Sequence, residues 1–444
     1  MTATAVLLSA PAATAAAEVH SSSDETRPET TSASETREAP SFDFNDALPE
    51  NPNLLRQLRW IESGKVPTAD AGDLRVATFS AGLSRPNSGQ LAEDLSAPGN
   101  EQGMRVAEAV QRAAPDVALL TDFDVDGGEA VAQSFRTNYL SVGSGGQEGI
   151  DYPYTYVAEV NNGVDTGADL DNDGVIGGPG DAFGPGRFPG QHGMVLFSRY
   201  PLDTDNIRTF RELSWDSMPD NAIPDGAYTE LEQSVLRLSS SSHWDIPVEV
   251  DGQTVHVLAA QPSRADDGAA GEERHHDEMR FWADYIEGDA SYIEDDQGRS
   301  GGLTEGEKFV LAGDFGPLTG AALNDDEEQH PSGIARLLES GAIEDPEPTS
   351  SGAESLVEDA PTATEVVSRK DGDWKLARSD YLLPSSSVST SDSGVFWPLP
   401  GQLGSHLTNA NAPGGEPGET NESTPSEHRL VWVDLSLGEA EGDD

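Results

Sequence analysis

Three stretches of the chain place an acidic residue at one end of an apolar run, and one of them adds a histidine. These residues are Asp314 after the run 309–312, Asp380 before the run 381–383, and Glu427 with His428 before the run 430–435. Apolar, β-branched runs of this length are typical of buried strands. Carboxylate and imidazole groups bind divalent cations and can orient water or a phosphate group. If the three strand ends converge, this set of residues is suited to metal-assisted phosphoester chemistry.

The elements that would position these residues are mostly strands, with a few helices between them. Apolar or alternating runs predict strands at 74–79, 116–120, 154–159, 193–198, 234–238, 245–250 and 254–260. Helical spacing of apolar residues predicts helices at 103–114 and around 277–286, the second with Asp277 and Glu278 in its first turn. Strands interleaved with few helices favour an α/β sandwich of packed sheets with outer helices.

The charge of the chain is its most unusual bulk property: 80 acidic residues stand against 26 basic ones, for a formal net charge of −54. A field of this sign repels phosphate backbones and destabilises the compact state at low ionic strength. At ~1 M salt the screening length falls to ~3 Å, which removes most of that repulsion. Because the acids are spread along the whole chain rather than gathered in one tail, they predict a protein from a saline habitat.

Several kinds of protein are excluded by what the sequence lacks. Cysteine is absent, so neither disulfides nor cysteine-ligated metals are available. No apolar run approaches the ~20 residues of a membrane-spanning helix. No basic patch with interleaved aromatic residues is present, so general nucleic-acid binding is not predicted. The oligomeric state is not indicated by any feature of the sequence.

Shifts in composition predict the domain boundaries. Residues 1–17 are small and apolar, and Ala15, Ala16 and Ala17 resemble a signal-peptidase site, although the usual basic segment before it is missing. They predict a truncated signal peptide and a secreted or cell-surface location. Residues 18–50 are rich in Ser, Thr, Glu and Pro, which predicts a disordered acidic linker. A short helix and connector at 51–72, a folded domain at 73–436 and an acidic tail at 437–444 follow.

A second group of acids follows the D-x-D-x-D-G pattern of a calcium-binding loop. Asp169, Asp171 and Asp173 offer oxygen ligands at alternate residues, and a glycine follows for the sharp turn. The twelfth position, where such loops carry a bidentate glutamate, is Gly180, with Asp181 next to it. The pattern therefore predicts either an incomplete structural Ca²⁺ loop completed by Asp181 or a solvated acidic turn.

Six segments, in this order, resemble motifs of the endonuclease/exonuclease/phosphatase superfamily, and most closely an exported bacterial branch of it. The segments are 74–80, 115–124, 193–201, 313–315, 379–385 and 426–430. The resemblance spans the chain from Leu74 to Leu435. It implies a four-layer α/β sandwich, in which two packed mixed β-sheets are flanked by helices and the active site lies at one end of the sheets.

The same resemblance implies roles for individual residues. Asp314 would position the attacking water, while Asp380 would orient and polarise His428, which stabilises or protonates the phosphate. Asp122 and Glu427 fall at metal-binding positions, with side chains one methylene shorter and one methylene longer than in the family. The cofactor implied is Mg²⁺ or Mn²⁺, and the substrate is a phosphoester whose identity the sequence does not reveal.

Three positions depart from the family pattern. Ser80 and Gly316 replace asparagines, and Gln261 replaces a histidine that precedes proline. One preorganised donor typically contributes ~100–1000-fold in rate, and Mg²⁺ tolerates little deviation from ~2.1 Å octahedral contacts. Losses within a catalytic unit are not additive. We therefore expect an exported, slow phosphoester hydrolase, with a catalytically silent relative that serves in binding or structure as the alternative.

Overall fold

A computed structural model describes residues 65–264, 267, 270–288, 291–317, 333–339, 341–370, 373–408 and 425–438. The predicted signal peptide at 1–17 and the linker at 18–50 lie outside the described residues. So do the part of the predicted helix and connector before residue 65 and the last six residues of the predicted tail. The structural statements below refer to the described ranges.

Thirteen strands are found in this part of the chain. They are β1 (Asp73–Leu83), β2 (Val117–Phe123), β3 (Tyr154–Tyr156), β4 (Gly193–Ser198), β5 (Arg208–Thr209), β6 (His243–Val250), β7 (Gln253–Ala260), β8 (Lys308–Asp314), β9 (Glu365–Lys370), β10 (Asp373–Ala377), β11 (Asp380–Pro384), β12 (Ser389–Val395) and β13 (Val431–Ser436). Seven α-helices accompany them. They are α1 (Gln90–Leu95), α2 (Glu101–Ala113), α3 (Glu129–Phe135), α4 (Glu230–Gln233), α5 (Gly271–Glu287), α6 (Gly333–Glu339) and α7 (Ser351–Leu356). None of these helices is both long and apolar enough to cross a lipid bilayer.

The strands form two large mixed sheets and one hairpin. The first sheet has the order β12-β13-β1-β2-β4-β3, the second has the order β11-β8-β7-β6-β5, and β9 pairs with β10. The pairs β1–β2 and β7–β8 are parallel, whereas the other pairs of both large sheets are antiparallel. With helices packed on them, these sheets make the α/β sandwich that the sequence predicts.

The second sheet is buried on both faces, as alternate residues of β8 show. Val310 and Ala312 join the core that also contains the strands of the first sheet. Phe309 and Leu311 join a separate core with apolar residues of α5 and α6, including Trp282. Successive side chains of a strand point to opposite faces. A strand covered on both sides therefore reads as a continuous apolar run, which is why this one could be predicted from its sequence.

One predicted strand, at 234–238, is wrong. Thr229 caps α4 just before this segment: its hydroxyl accepts the Glu232 N–H, and the Glu232 carboxylate accepts the Thr229 N–H in return. This reciprocal capping box starts a helix because it satisfies backbone donors that the first turn leaves unpaired. After the helix, only Arg237 makes an isolated bridge, to Ser214. The apolar residues Leu236 and Leu238 are buried without ladder pairing.

The first and last strands of the folded part are neighbours in the first sheet. β1 pairs with β13 antiparallel, from Asp73 opposite Ser436 to Thr78 opposite Val431. The C-terminal end of β1 and the N-terminal end of β13 therefore lie at the same end of the sheet. The segment that carries His428 reaches the fold at this end, directly before β13.

Candidate active site

Strand register brings Asp314 and Asp380 together. Asp314 is the last residue of β8, Asp380 is the first residue of β11, and the two are direct partners in the antiparallel ladder. Their exposed fractions are only 6% and 0%. Two carboxylates are thus placed side by side, out of water, where one sheet ends. Buried carboxylates in such a position require cationic or hydrogen-bonding partners.

His428, in the segment directly before β13 of the first sheet, supplies one such partner. Its Nδ1 lies 2.8 Å from Oδ2 of Asp380, and its Nε2 lies 3.9 Å from Oδ2 of Asp314. The imidazole is 10% exposed. Each of the three residues offers a ligand atom within 4.8 Å of those of the other two. The structure therefore brings together the three residues to which the family resemblance assigns catalysis.

Hydrogen bonds to the backbone fix the segment that carries the histidine. The Ser426 hydroxyl donates to the Ser80 carbonyl at 2.6 Å and accepts the N–H of His428 at 3.0 Å. On the opposite side, the Thr364 hydroxyl accepts the N–H groups of Ser379 and Asp380, each at 3.0 Å. Because both members of the Asp380–His428 pair are held this way, their relative orientation is set by the fold rather than by their own contact.

Glu365 and Arg264 extend the cluster, and sequence reasoning missed both. Glu365 begins β9 and bridges to His428 through the backbone, and its Oε1 lies 3.7 Å from Nε2 of His428. Nη2 of Arg264 lies 3.7 Å from Oδ2 of Asp314 and 3.5 Å from Oε1 of Glu365. Glu365 also accepts a hydrogen bond from the Ser379 hydroxyl. Three carboxylates and two cationic side chains thus form one network.

The sequence contains a pattern that could have indicated Glu365, but none that indicates Arg264. Glu365 stands at the start of the apolar pair 366–367, which repeats the acid-before-strand pattern of Asp380. Arg264 is one arginine in a loop after β7, with no motif around it. Its position depends on Glu278, whose buried carboxylate accepts the N–H and hydroxyl of both Ser240 and Ser263. Ser263 directly precedes Arg264, so this helix residue sets where the guanidinium begins.

The network shifts the pKa values of its members. Burial alone would lower the pKa of His428, but the charges of Asp380 and Asp314 and the Asp380 hydrogen bond outweigh it and raise the pKa to about 10. Burial raises the pKa of Asp314 to about 6, although His428 and Arg264 oppose this rise. Asp314 raises the pKa of the Arg264 guanidinium further above its usual value. At neutral pH the cluster therefore contains a protonated imidazole beside an ionised Asp314.

Asp122, one of the two predicted metal ligands, has another partner. Its Oδ1 lies 2.5 Å from Nδ1 of His192, and its N–H donates to Oε1 of Gln261 at 3.2 Å. Both Asp122 and His192 adopt left-handed backbone conformations, with φ values of 50° and 53°. Residues other than glycine seldom do so, and when they do the surrounding structure has to hold them there. The Asp122 carboxylate is not part of the cluster formed by Asp314, Asp380 and His428.

The other predicted positions fall around the cluster. Glu427 is exposed, and its carbonyl accepts the N–H of Val366. Ser80 is buried at the end of β1 and contributes its carbonyl as described above. Gly316 has a φ of 69°, and its N–H donates to Oδ1 of Asp314 at 3.3 Å. Among the described residues, the side chains of Glu427 and Asp122 are not members of the cluster formed by Asp314, Asp380 and His428.

The acidic loop does gather its three aspartates. Asp169, Asp171 and Asp173 offer carboxylate oxygens within 4.8 Å of one another, at the surface. Backbone N–H groups of the loop donate to one oxygen of each, at 2.7 to 3.1 Å. Asp181 is buried, and its oxygens accept three backbone N–H groups of the loop. Asp181 therefore helps to hold the loop in shape, while the buried Oδ1 of Asp169 has no hydrogen-bond partner among the described residues.

The cluster formed by Asp314, Asp380 and His428 has the donor chemistry of a divalent-cation site. Asp314 and Asp380 provide carboxylate oxygens, which Mg²⁺ and Mn²⁺ prefer. Oδ1 of Asp380 is buried and has no hydrogen-bond partner among the described residues. An unsatisfied buried carboxylate oxygen is costly, and a cation would satisfy it. The residues present therefore fit such an ion, with the two aspartates as the ligands and His428 free to keep its proton.

Comparisons with solved structures give matches over most of the chain at low identity. An endonuclease/exonuclease/phosphatase from Beutenbergia cavernae is 17% identical, with 82% of this chain and 72% of that chain covered and a TM-score of 0.45. A family protein from Bacteroides thetaiotaomicron is 12% identical, with coverage of 82% and 97% and a TM-score of 0.41. Sphingomyelinase C from Streptomyces griseocarneus is 16% identical, with coverage of 82% and 99% and a TM-score of 0.39.

No curated protein matches the sequence. A protein-family model does: that of the endonuclease/exonuclease/phosphatase family matches residues 87–316, more than half of the 444 residues. The matched stretch begins just after β1 and ends just after Asp314, so it includes strands β5 to β8 of the second sheet. On this match, the chain belongs to the endonuclease/exonuclease/phosphatase family.

Proposed function

We propose that the protein is a metal-dependent phosphoester hydrolase. The observation that carries this proposal is the 2.8 Å contact between Nδ1 of His428 and Oδ2 of the fully buried Asp380, beside Asp314. A buried carboxylate that binds one imidazole nitrogen fixes the orientation of the ring and favours its protonated form. The other nitrogen, Nε2, then points toward the space where Asp314 and Glu365 meet.

The residues of the chain suit hydrolysis by an attacking water. Ionised Asp314 can accept a hydrogen bond from the water and orient it toward phosphorus. Nε2–H of protonated His428 can stabilise the charge that develops on the phosphoryl oxygens or give its proton to the leaving oxygen. Asp380 keeps the ring in place and charged. A divalent cation held by Asp314 and Asp380 would neutralise phosphate charge as a Lewis acid.

The departures from the family pattern support a slow enzyme. Gly316 and Ser80 lack the amide donors that the family carries at these positions. Gln261 replaces a histidine with a neutral amide, whose oxygen accepts the N–H of Asp122. Each missing donor weakens electrostatic stabilisation of the transition state. The remaining Asp314–Asp380–His428 set retains water positioning and proton donation, so turnover is reduced rather than abolished.

Restoring one of these donors should increase the rate. Gly316 has a left-handed φ of 69°, which asparagine tolerates better than most residues, and among the described residues an added Cβ would meet only His275 Cε1, at 3.7 Å. We expect Gly316→Asn to raise kcat about tenfold, below the ~100–1000-fold of a donor in a fully tuned site. Steady-state turnover of a chromogenic phosphodiester measures this effect.

Gly306→Asn is the matched control for that substitution. Gly306 also has a left-handed φ, 88°, and open space around its Cβ position, but it lies in the turn before β8. Its kcat should equal that of the unaltered protein. Equal rates for the Gly316 and Gly306 variants would show that a missing amide at this position does not limit turnover.

A silent family member, retained for binding or structure, is the second candidate. It is favoured by the cationic contacts of the acids: Arg264 lies within 3.7 Å of Asp314, and Asp122 is bound by His192. If these side chains replace the ion, the cluster is stable without metal and has no Lewis acid.

Turnover decides between the two candidates. The assay is hydrolysis of a chromogenic phosphodiester at high salt with Mg²⁺ or Mn²⁺, repeated with EDTA and with the His428→Ala variant. A metal-dependent rate that falls in the variant supports the hydrolase. Equal rates in the two proteins, or no release above buffer with either metal, would leave the silent family member as the function.

The rate should follow a bell-shaped pH profile. Asp314 must be ionised to orient water, so kcat/KM should rise with pH along an acid limb; burial raises the pKa of Asp314 to about 6 before the cation binds, and the cation moves this limb to lower pH. His428 must be protonated to act as donor, so the rate should fall along a basic limb; the pKa of His428 is about 10 before the cation binds, and the cation moves this limb to lower pH as well. The two limbs reflect the titration of one coupled group of residues, so each apparent pKa belongs to the group rather than to a single residue. Rates measured between pH 4.5 and 11 at constant ionic strength would show them.

Glu365→Gln should move both limbs to lower pH. The charge of Glu365 raises the pKa of Asp314 and of His428, because it disfavours a second anion and favours a cation nearby. Removing that charge while keeping the shape of the side chain therefore lowers both values. Limbs that stay in place would mean that these two residues do not set the profile.

We propose that the protein is exported and works at high salt, on the composition of residues 1–17 and the net charge of −54. Its melting temperature should rise steeply between 0.1 and ~2 M NaCl, because screening shortens from ~10 Å to below ~3 Å over that range. A melt that does not depend on salt would remove the halophilic part of this proposal. Fractionation of the producing culture tests export.

Calcium binding by the acidic loop is tested by a separate measurement. Calcium added to metal-free protein, followed by thermal melting, separates the two predictions for Asp169, Asp171 and Asp173. A rise in the melting temperature that disappears in Asp171→Asn assigns a structural Ca²⁺ to the loop, since a ligand of the folded state stabilises by mass action. An unchanged melt assigns a solvated acidic turn held by Asp181.

A further inference from the structure

Arg264 and His428 face the same two carboxylate oxygens at the candidate active site. Nη2 of Arg264 lies 3.7 Å from Oδ2 of Asp314 and 3.5 Å from Oε1 of Glu365. Nε2 of His428 lies 3.9 and 3.7 Å from the same two oxygens. Two cationic nitrogens and two carboxylate oxygens therefore alternate around one small region, which lies beside the aspartate that would position the attacking water.

The guanidinium of Arg264 is held only weakly by these acids. The four distances exceed the ~2.7–2.9 Å of a charge-assisted hydrogen bond. The Arg264 side chain is 51% exposed, and ion pairs that reach water contribute only ~0–1 kcal/mol. Its Nε and Nη1 make no hydrogen bond among the described residues. The guanidinium can therefore exchange these contacts for a more strongly bound anion at small cost.

The backbone at Arg264 is fixed independently of those contacts. Its N–H donates to Oδ2 of Asp267 at 2.6 Å. The N–H and hydroxyl of the preceding residue, Ser263, both donate to the buried carboxylate of Glu278 at 2.8 Å. The loop therefore sets where the side chain begins, while the guanidinium can reorient. A ligand can be met without movement of the backbone, which keeps the entropic cost of binding small.

The loop that carries Arg264 offers no other cation at this point. Gln261, three residues earlier, is neutral, and its amide oxygen accepts the N–H of Asp122. Arg264 keeps its charge at every pH at which the protein would work, because a guanidinium is effectively never deprotonated. Its planar group also presents paired N–H donors that match two oxygens of a phosphate. Arg264 therefore supplies a permanent charge in a geometry suited to a phosphoryl group.

We propose that Arg264 is a catalytic residue, whose guanidinium binds two oxygens of the phosphoryl group on which Asp314 and His428 act. This inference rests on the proposed hydrolase activity and adds a substrate-binding residue to it. When the substrate binds, phosphoryl oxygens replace the carboxylates of Asp314 and Glu365 as partners of the guanidinium. Asp314 is then left to orient water, and a preorganised cation stabilises the charge that develops on the phosphoryl oxygens.

Arg264 should also weaken the binding of a divalent cation while no substrate is present. Its guanidinium lies 3.7 Å from Asp314, one of the two residues that would hold the ion, and positive charges at such short range repel each other. A phosphate group relieves this repulsion, because its negative oxygens draw the guanidinium away from Asp314. Arg264 thereby makes the binding of phosphate and the binding of the cation favour each other.

Arg264→Ala tests this role, because two of its expected effects have opposite signs. In calorimetric titrations at high salt, the variant should bind Mg²⁺ about tenfold more tightly than the unaltered protein, since a repelling charge is gone. With both proteins saturated with Mg²⁺, inorganic phosphate should bind about tenfold more weakly to the variant, which lacks a charge-assisted hydrogen bond. Any Mg²⁺ bound at the acidic loop is common to both proteins and cancels in the comparison.

Arg199→Ala is the matched control. Nη1 of Arg199 lies 3.1 Å from Oδ1 of Asp116, and its side chain is 40% exposed, so the variant removes a guanidinium of similar exposure from a similar ion pair. Asp116 stands directly before β2, at the opposite end of that strand from Asp122. The Mg²⁺ affinity, the phosphate affinity and kcat of this variant should all equal those of the unaltered protein.

Turnover of a chromogenic phosphodiester gives a separate readout. We expect kcat to fall ~100-fold in Arg264→Ala, the lower end of the range for one preorganised donor. Millimolar guanidinium chloride should restore part of the rate in Arg264→Ala and none in His428→Ala, because the free ion can take the place of the missing guanidinium but cannot donate a proton.

Two results would overturn the proposal. One is an unchanged phosphate affinity in Arg264→Ala, and the other is Mg²⁺ binding that weakens together with phosphate binding, which would leave Arg264 a purely structural role. Because the side chain is half exposed and the backbone is held through other contacts, the substitution leaves the fold intact. Phosphate binding that depends on Arg264, without turnover by any of the proteins, would support Arg264 as a phosphate ligand and count against the hydrolase.

Discussion

Replacing His428 with alanine should reduce phosphodiester turnover about a thousandfold, the combined size of losing a proton donor and a preorganised charge. The imidazole is 10% exposed, held 2.8 Å from Asp380, and protonated up to a pH of about 10. No other histidine lies in the catalytic cluster within the described ranges. Its loss therefore removes the proposed proton donor; Arg264, 3.7 Å from Asp314, can supply charge but not a proton. Steady-state rates at high salt with Mg²⁺ measure the effect.

His406→Ala is the control for this prediction. His406 is 55% exposed and pairs with Glu108 away from the site, so its loss should leave the rate unchanged. Asp380→Asn should lose at least as much activity as His428→Ala, because Asp380 both holds the histidine and is a proposed ligand of the cation. The double variant should then be no slower than Asp380→Asn alone, as expected for residues that act as one unit. Additive losses would contradict a shared role.

Removing the buried carboxylate of Asp434 should destabilise the fold by about 3–5 kcal/mol. Its two oxygens accept bonds from Nε and Nη2 of Arg75 at 2.6 Å each, and the side chains are 0% and 2% exposed. Asp434→Ala leaves a guanidinium buried between β1 and β13 with its charge uncompensated. Arg75 keeps only its bond to the Ala113 carbonyl and its contact with the Trp432 ring. Chemical denaturation at high salt measures the difference.

Two further variants serve as controls for the Asp434→Ala measurement. The exposed pair Arg105–Glu101 on α2, at 3.4 Å, should contribute less than about 1 kcal/mol when Glu101 is replaced by alanine. Replacing both Arg75 and Asp434 by leucine should cost less than Asp434→Ala, because no unpaired buried charge remains. A double variant less stable than the single one would show that the pair itself, and not the orphaned charge, determines the effect.

The sequence predicts those parts of the site that depend on strand identity. Asp314 and Asp380 each terminate an apolar run, and once these runs are adjacent strands the register makes the two residues neighbours. The fold class could be predicted for the same reason, because strands buried on both faces read as continuous apolar runs. His428 could be placed because it stands just before another such run, and the resemblance gave it a role.

Other parts depend on backbone geometry that residue types do not reveal. Asp122 follows an apolar strand much as Asp314 does, but its φ of 50° goes with a carboxylate bound to His192. Glu427 precedes the histidine in sequence and yet remains exposed. Arg264 reaches Asp314 from a loop that Glu278 anchors through Ser263, a contact between distant segments. Periodicity carries no information about such contacts, because they arise from tertiary packing.

The pairing of β1 with β13 also has a consequence for biosynthesis. Arg75 and Asp434 are 359 residues apart, and the histidine that faces Asp380 enters the fold only just before β13. A nascent chain on the ribosome therefore cannot assemble the cluster until nearly all of the folded part has been translated. Contacts between such distant segments also slow folding. Fragments truncated before residue 428 would carry both aspartates but lack the imidazole, so on the proposed function unfinished chains could not complete the site.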